Sequence, residues 1–205
     1  MIKLPANVLL AISMLEKAGY EAFAVGGAVR DSLLGKDASD FDITTSAFPQ
    51  ETKKVFEGFN VIETGIKHGT VTVMFEGEPL EITTYRIDGE YEDNRHPSKV
   101  TFTRNVEDDL ARRDFTINAM AYNPVRGLVD PFGGGDDLKK GIIRTVGDGE
   151  KRFSEDALRI LRCIRFASVL GFDIEEKTAE SAKKMVSLLD NVSAERIFVE
   201  LKKLI

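Results

Sequence analysis

A chain of 205 residues with 42% hydrophobic and 30% charged positions suits a globular protein of one ordinary domain, or one domain plus a smaller helical piece. No apolar run reaches the length of a membrane span and no signal-peptide pattern is present, so a cytoplasmic protein without a membrane partner is expected. The net charge of −6 does not exclude nucleic acid, because residues 1–100 hold 10 Lys and Arg against 16 Asp and Glu while residues 101–205 hold 18 of each.

Pro5 to Ala18 sets Val8, Leu9, Ile12 and Leu15 at helical spacing, with Gly19 placed to end the helix. Strands are expected over Glu21–Val25 and Phe41–Thr44, and a helix with proline in its first turn over Pro49–Glu57. Thr70–Phe75 and Leu80–Tyr85 read as a hairpin joined through Glu76–Pro79. Arg86 to Thr103 reads as a polar, mobile loop, after which short strands and helices alternate to about Val146. From Gly149 onward periodic apolar residues are broken only at Gly171–Asp173 and Asn191–Ser193, which predicts three helices with Ser193 capping the last. The fold expected is therefore mixed α/β over 1–148, a small mixed sheet flanked by helices, followed by an all-helical segment over 149–205. Cys163, the single cysteine, falls in an apolar helical pattern and reads as core. His68 and His96 lack the partners of a zinc site.

The chemistry concentrates in a few places. Phe23-Ala24-Val25 runs into Gly26-Gly27 and then a helix-like stretch, a strand–turn–helix pattern whose backbone N–H groups suit phosphates. Asp40 and Asp42 follow at i and i+2 of the next strand, on one face. Two carboxylates beside bound phosphates suit Mg²⁺ and point to phosphoryl or nucleotidyl transfer. A lone pair of this kind is more often solvated strand-edge charge, and the glycine turn upstream reverses that balance. Glu81 is either a third carboxylate from a neighbouring strand or an exposed residue.

Arg112-Arg113-Asp114 places two planar phosphate-binding forks beside a carboxylate able to accept from ribose hydroxyls; the alternative is a helix C-terminus met by arginines. Within Glu155–Arg165, Arg159, Arg162 and Arg165 fan over roughly 120° of a helix, with Ile160, Leu161, Cys163, Ile164 and Ala167 mostly opposite. Asp156 lies one turn before Arg159, so the two together offer an acceptor and donors to a base edge. An ordinary solvated arginine face is the alternative.

These segments together resemble the class II tRNA nucleotidyltransferases, the CCA-adding enzymes and their poly(A) polymerase relatives. The likeness covers about residues 20 to 200. Its motifs are Gly26-Gly27-Ala28-Val29-Arg30-Asp31 through Asp42, Arg112 to Ala119, Asp130-Pro131-Phe132-Gly133 through Leu138, Glu155-Asp156-Ala157-Leu158-Arg159, and Ser193-Ala194-Glu195-Arg196-Ile197. The resemblance implies a nucleotidyltransferase head followed by a helical neck, and addition of CMP and AMP from CTP and ATP to the tRNA 3′ end. It further implies Mg²⁺ on Asp40 and Asp42. Gly27, Arg30 and Arg113 would bind nucleotide, Asp156 and Arg159 would read the base, and Arg162 and Arg165 would support nucleotide binding. Asp114 would sense ribose. Arg86–Arg95 resembles the flexible loop that goes with full CCA addition. A poly(A) polymerase, a CC-adding relative and a nucleotide-binding module without transfer activity are the alternatives. Family members run to about twice this length, which implies a body and tail beyond Ile205 and weak tRNA binding without them. Oligomeric state is not legible.

Overall fold

The computed structural model describes residues 2–38, 40–89 and 99–204. The first helix, α1 (Ala6–Lys17), buries Val8, Ala11, Ile12 and Leu15 along one stripe. Leu9, expected in that stripe, is 42% exposed, because it sits about 100° around the helix from Val8. All four residues of β1 (Ala22–Val25) are buried, as befits a central strand. It leads through Gly26 into α2 (Gly27–Leu33), then β2 (Asp42–Thr45), α3 (Pro49–Val55) and β3 (Asn60–Ile62). Asp40 therefore precedes the strand that Asp42 begins.

In β4 (Thr70–Phe75) the buried residues alternate as Val71, Val73 and Phe75, and the strand turns directly into β5 (Glu78–Thr84). The connection is shorter than the four residues expected: Glu76 and Gly77 alone make it, with φ of 52° and 93°, the left-handed pair that matches strand twist. The segment read as a loop has a paired base, since β6 (Arg86–Asp88) and β7 (Val100–Phe102) run antiparallel. Glu90–Arg95 of the family-like loop, and His96, lie outside the described residues.

Asn105 caps α4 (Val106–Ala111) by accepting from the Glu107 N–H at 3.0 Å. A 3₁₀ turn over Thr116–Asn118, β8 (Ala121–Asn123), β9 (Gly127–Val129), α5 (Gly134–Lys140) and β10 (Ile142–Ile143) follow. Seven strands form one sheet in the order β3-β4-β5-β2-β1-β8-β9. β2 and β5 are parallel and the other neighbours antiparallel, which is the mixed sheet expected.

The last part holds α6 (Gly149–Glu155), α7 (Leu158–Leu170), β11 (Asp173–Ile174), α8 (Glu176–Lys184), a 3₁₀ stretch over Val186–Asn191, and α9 (Ala194–Lys202). Two expectations change here. Four α-helices replace three, because Asp156 takes an extended conformation (φ −145°, ψ 103°) and separates α6 from α7. The segment is also not all-helical, since β11 pairs with β10 through Ile142–Asp173 and Ile143–Ile174. Ser193 stands at the start of α9 without a side-chain capping bond.

The apolar core is continuous across these parts, from Ile43, Val71 and Ile82 through Phe115 and Ile143 to Phe153, Ile160, Cys163 and Phe166. Cys163 is core as expected, and burial pushes its thiol up to about 12, far from a reactive thiolate. Ile164, placed on the apolar side of α7 by its spacing, is instead 49% exposed. The start of α5 is pressed against the 3₁₀ turn: a Cβ on Gly134 would lie 2.2 Å from the Thr116 carbonyl oxygen. Gly134→Ala is expected to destabilise the fold by about 1–3 kcal/mol through backbone displacement, read from urea unfolding.

Candidate active site

β1 ends at the sheet edge of a cleft of about 450 Å³, and the chain turns there through Gly26 at φ 79°, ψ −136°, a conformation open only to glycine. The turn starts α2, whose first N–H groups have no partners within the helix. Gly26 is also needed for space, since a Cβ would meet Arg113 Nη1 at 3.1 Å. Gly27, Arg30, Asp40, Asp42, Arg113, Arg162 and Arg165 all line this cleft, drawn from four separate stretches of chain.

β2 carries Asp42 on its open end. Its register against β5 pairs Ile43 with Ile82, so one residue earlier Asp42 stands beside Glu81. Asp42 is exposed at the cleft, yet desolvation by the surrounding walls, then the charges of Glu81 and Asp40, push its carboxyl up to about 6, with Arg113 opposing. Glu81 is thus both exposed and next to Asp42, so the two readings of it meet in one position outside the cleft lining. No cluster of three His, Cys, Asp or Glu side chains arranged to hold a metal ion is found among the described residues. The donor chemistry nevertheless fits a hard divalent cation. Negative charges that raise the proton affinity of Asp42 mark a place where positive charge is favourable, and two carboxylates with substrate phosphates suffice for Mg²⁺.

The opposite wall is built by a chain of charged and amide groups. Arg30 is held by Asp31 at 2.8 and 2.9 Å and donates through Nη1 to Asn118 Oδ1 at 2.7 Å. Asn118 Nδ2 donates to Asp114 Oδ1 at 3.1 Å, which also accepts from the Phe115 N–H at 2.8 Å. Arg162 Nε and Nη2 donate to Asp114 Oδ2 at 2.9 and 2.6 Å. Asp114 is 7% exposed; burial pushes its carboxyl up, but Arg162, Asn118 and Arg159 outweigh it and hold it down at about 2. Asp114 lines the cleft itself, fixed there by four bonds inside the protein.

Glu200 of α9, 4% exposed, takes Arg165 Nε at 2.6 Å and lies 3.6 Å from Arg162 Nη1. Phe166 sits beneath all three guanidinium groups, with Arg165, Arg30 and Arg162 at 4.1, 5.0 and 5.3 Å from its ring centroid. Asn118, Phe166 and Lys203 also line the cleft and were not expected there, and Glu200 anchors its arginines from behind. Phe166 lies one turn beyond Arg162, the one pattern that pointed to it.

Asp156 and Arg159 do not line this cleft, and they do not pair with each other. Asp156 accepts from Arg196 Nη2 at 2.9 Å, while Arg159 Nη1 donates to Glu155 at 2.7 Å and to the Arg152 carbonyl at 3.0 Å. Arg159 Nη2 and Arg152 Nη1 donate to the Arg112 and Ala111 carbonyls at 3.1 and 3.0 Å, so both arginines meet the C-terminal end of α4. The break between α6 and α7 is the reason: one turn of spacing makes neighbours only within a continuous helix. A second cavity of about 740 Å³ opens between β6, α4 and α6, lined by Asp88, Arg112, Arg152 and Glu155 among others.

Residues 22–144 match the poly A polymerase head domain, and residues 171–205 match the probable RNA- and SrmB-binding site of polymerase A. The chain belongs to the poly A polymerase head family. Two similar proteins are the CCA-adding enzymes of Lactobacillus helveticus, 52% identical over 98% of this chain, and Geobacillus stearothermophilus, 48% identical over 95%. The chain spans about half the length of these curated relatives, 51% and 48% respectively. Among solved structures, the Bacillus stearothermophilus CCA-adding enzyme in complex with CTP is 44% identical with a TM-score of 0.88, over 98% of this chain and 49% of that one. The Thermotoga maritima CCA-adding enzyme complexed with tRNA is 31% identical with a TM-score of 0.79, over 97% and 46%. Mixed α/β architecture with a helix-flanked mixed sheet is thus the family's head fold. Proteins of this family generally work with a divalent metal. No helix among the described residues is long and apolar enough to cross a membrane.

Proposed function

We propose that this chain carries out the nucleotide binding and transfer of CCA addition, adding CMP and AMP from CTP and ATP to the tRNA 3′ end with release of pyrophosphate. The observation that carries the reading is the convergence, in one cleft, of a glycine phosphate turn and an acidic pair from 1–148 with arginines from 149–205. We treat these spans as catalytic head and neck. Support comes from the names of the similar proteins, which are CCA-adding enzymes, and from the CTP and tRNA complexes of two of them. A cytoplasmic location goes with this substrate.

In this reading Gly27, Arg30 and Arg113 receive the triphosphate, and Arg162 and Arg165 face it from α7. Asp40 and Asp42 hold the cation, Mg²⁺, which when bound polarises the phosphoryl oxygens and makes the tRNA 3′-hydroxyl a better nucleophile. Their carboxylates offer two hard oxygen ligands, one at the first residue of β2 and one on the chain just before it, and the arginines offset the charge that develops on phosphate oxygens. Asp156 and Arg159 select the base. Their ties to Arg196 and Glu155 lock their rotamers, and Arg159 spends three of its five N–H donors on the protein, leaving two for a base edge.

Incubation with tRNA lacking its 3′ end, CTP, ATP and Mg²⁺, followed by sequencing of the products, tests the reading. CCA ends are expected; CC ends or A-tails assign the chain to a relative with the same head, and no product leaves a nucleotide-binding module. Base selection has its own test. Arg159→Ala is expected to relax discrimination of CTP and ATP from UTP and GTP by roughly tenfold or more. Arg162→Ala is expected to weaken all four about equally, since a phosphate contact carries no base information. Identical binding profiles for the two variants refute this division.

A further inference from the structure

Asp109 has 0% exposure in the short helix α4, where burial disfavours a negative charge. Donors from three places hold it. Thr44 Oγ1 donates at 3.1 Å, Arg112 Nε and Nη2 at 3.0 and 2.8 Å, Arg113 Nη2 at 3.4 Å and the Arg86 N–H at 3.4 Å. Burial pushes its carboxyl up, but the charges of Arg112 and Arg113 prevail and keep it ionised. Asp109 does not line the cleft.

Arg113 is the other half of this arrangement. Its guanidinium crosses Gly26 at the cleft wall, and its Nε is buried with no partner among the described residues. Among those residues the bond to Asp109 is the one hydrogen bond its side chain makes. Thr44, which ties Asp109 to β2, lies two residues from Asp42 and so projects from the same face of the strand. One carboxylate thereby links the arginine to the strand that begins with Asp42.

We propose that Asp109 is a positioning residue for triphosphate binding: it holds the Arg113 guanidinium at a set offset from Asp42 and keeps Nη1, over Gly26, directed at phosphate oxygens. The role rests on the reading of the cleft as a nucleoside triphosphate site. CTP binding with Mg²⁺ is measured by calorimetry for the wild type, Arg113→Ala, Asp109→Asn and the double variant, with thermal unfolding recorded for each. Each single change is expected to weaken CTP by roughly tenfold, and the double variant to stay within about twofold of Arg113→Ala, because one residue acts through the other.

Losses that multiply in the double variant overturn the role, as does unchanged affinity in a folded Asp109→Asn; both leave the cleft reading standing. A wild type that binds no CTP, or an unaffected Arg113→Ala, overturns the cleft reading itself. Should Asp109→Asn fail to fold, Thr44→Val enters the same cycle. It is expected to weaken CTP in the wild-type background and to add nothing to Arg113→Ala; no loss in the wild-type background, or a loss that persists beside Arg113→Ala, overturns the role.

Discussion

Asp42→Ala is expected to lower nucleotide addition by about 10³-fold or more while the fold survives, because Lewis-acid assistance of several kcal/mol corresponds to about three decades in rate. The carboxylate lies in the cleft, at the open end of β2, so its removal leaves no hole in the core. Its neighbours already resist its charge: desolvation, Glu81 and Asp40 push the carboxyl up to about 6. Taking it away relieves that repulsion, so thermal stability at pH 7 is not expected to fall. Incorporation of labelled CMP, with circular dichroism on the same sample, checks both halves. Near-normal turnover by a folded variant removes the two-carboxylate site from the mechanism.

Asp114→Ala is expected to be the most destabilising single change in the cleft, by about 3–5 kcal/mol, because it strands a partner of a buried ion pair. It deprives Arg162 of both its bonds to Oδ2 and leaves Asn118 Nδ2 without its acceptor. Triphosphate affinity falls with it, since the chain from Arg30 to Arg162 is cut in the middle. The pH dependence follows from the depressed carboxyl, about 2 in the fold against an ordinary 3.8. The unfolded chain takes up the proton first as pH falls, so this stabilisation is complete above about pH 4 and is lost as pH drops through about 2. A shift of this size is worth roughly 2–3 kcal/mol. Urea unfolding of wild type and Asp114→Asn between pH 7 and pH 2 measures it: the gap narrows only in the acid range. A gap that stays constant across that range contradicts the assignment of the stabilisation to the Asp114 charge.

Local order determined much of this protein from sequence alone. Period-two burial in β4, the helical stripe of α1 and the glycine pair after β1 are short-range patterns, decided by backbone sterics and by which side chains share a face. The motif residues Gly27, Arg30, Asp40, Asp42, Arg113, Arg162 and Arg165 were legible for the same reason, each motif being a run whose spacing carries its chemistry. What only the tertiary structure decided is which groups meet. The parallel register of β2 and β5 brings Glu81 beside Asp42. The break at Asp156 sends Asp156 to Arg196 and Arg159 to Glu155 instead of to each other. Asn118 joins Arg30 across 88 residues and Glu200 reaches Arg165 across 35. Such contacts depend on strand register and helix docking, which are set by burial of the whole core. No local spacing encodes them, so the motif residues were readable one by one, while Asn118, Phe166, Lys203 and the wiring of the cleft were properties of the fold.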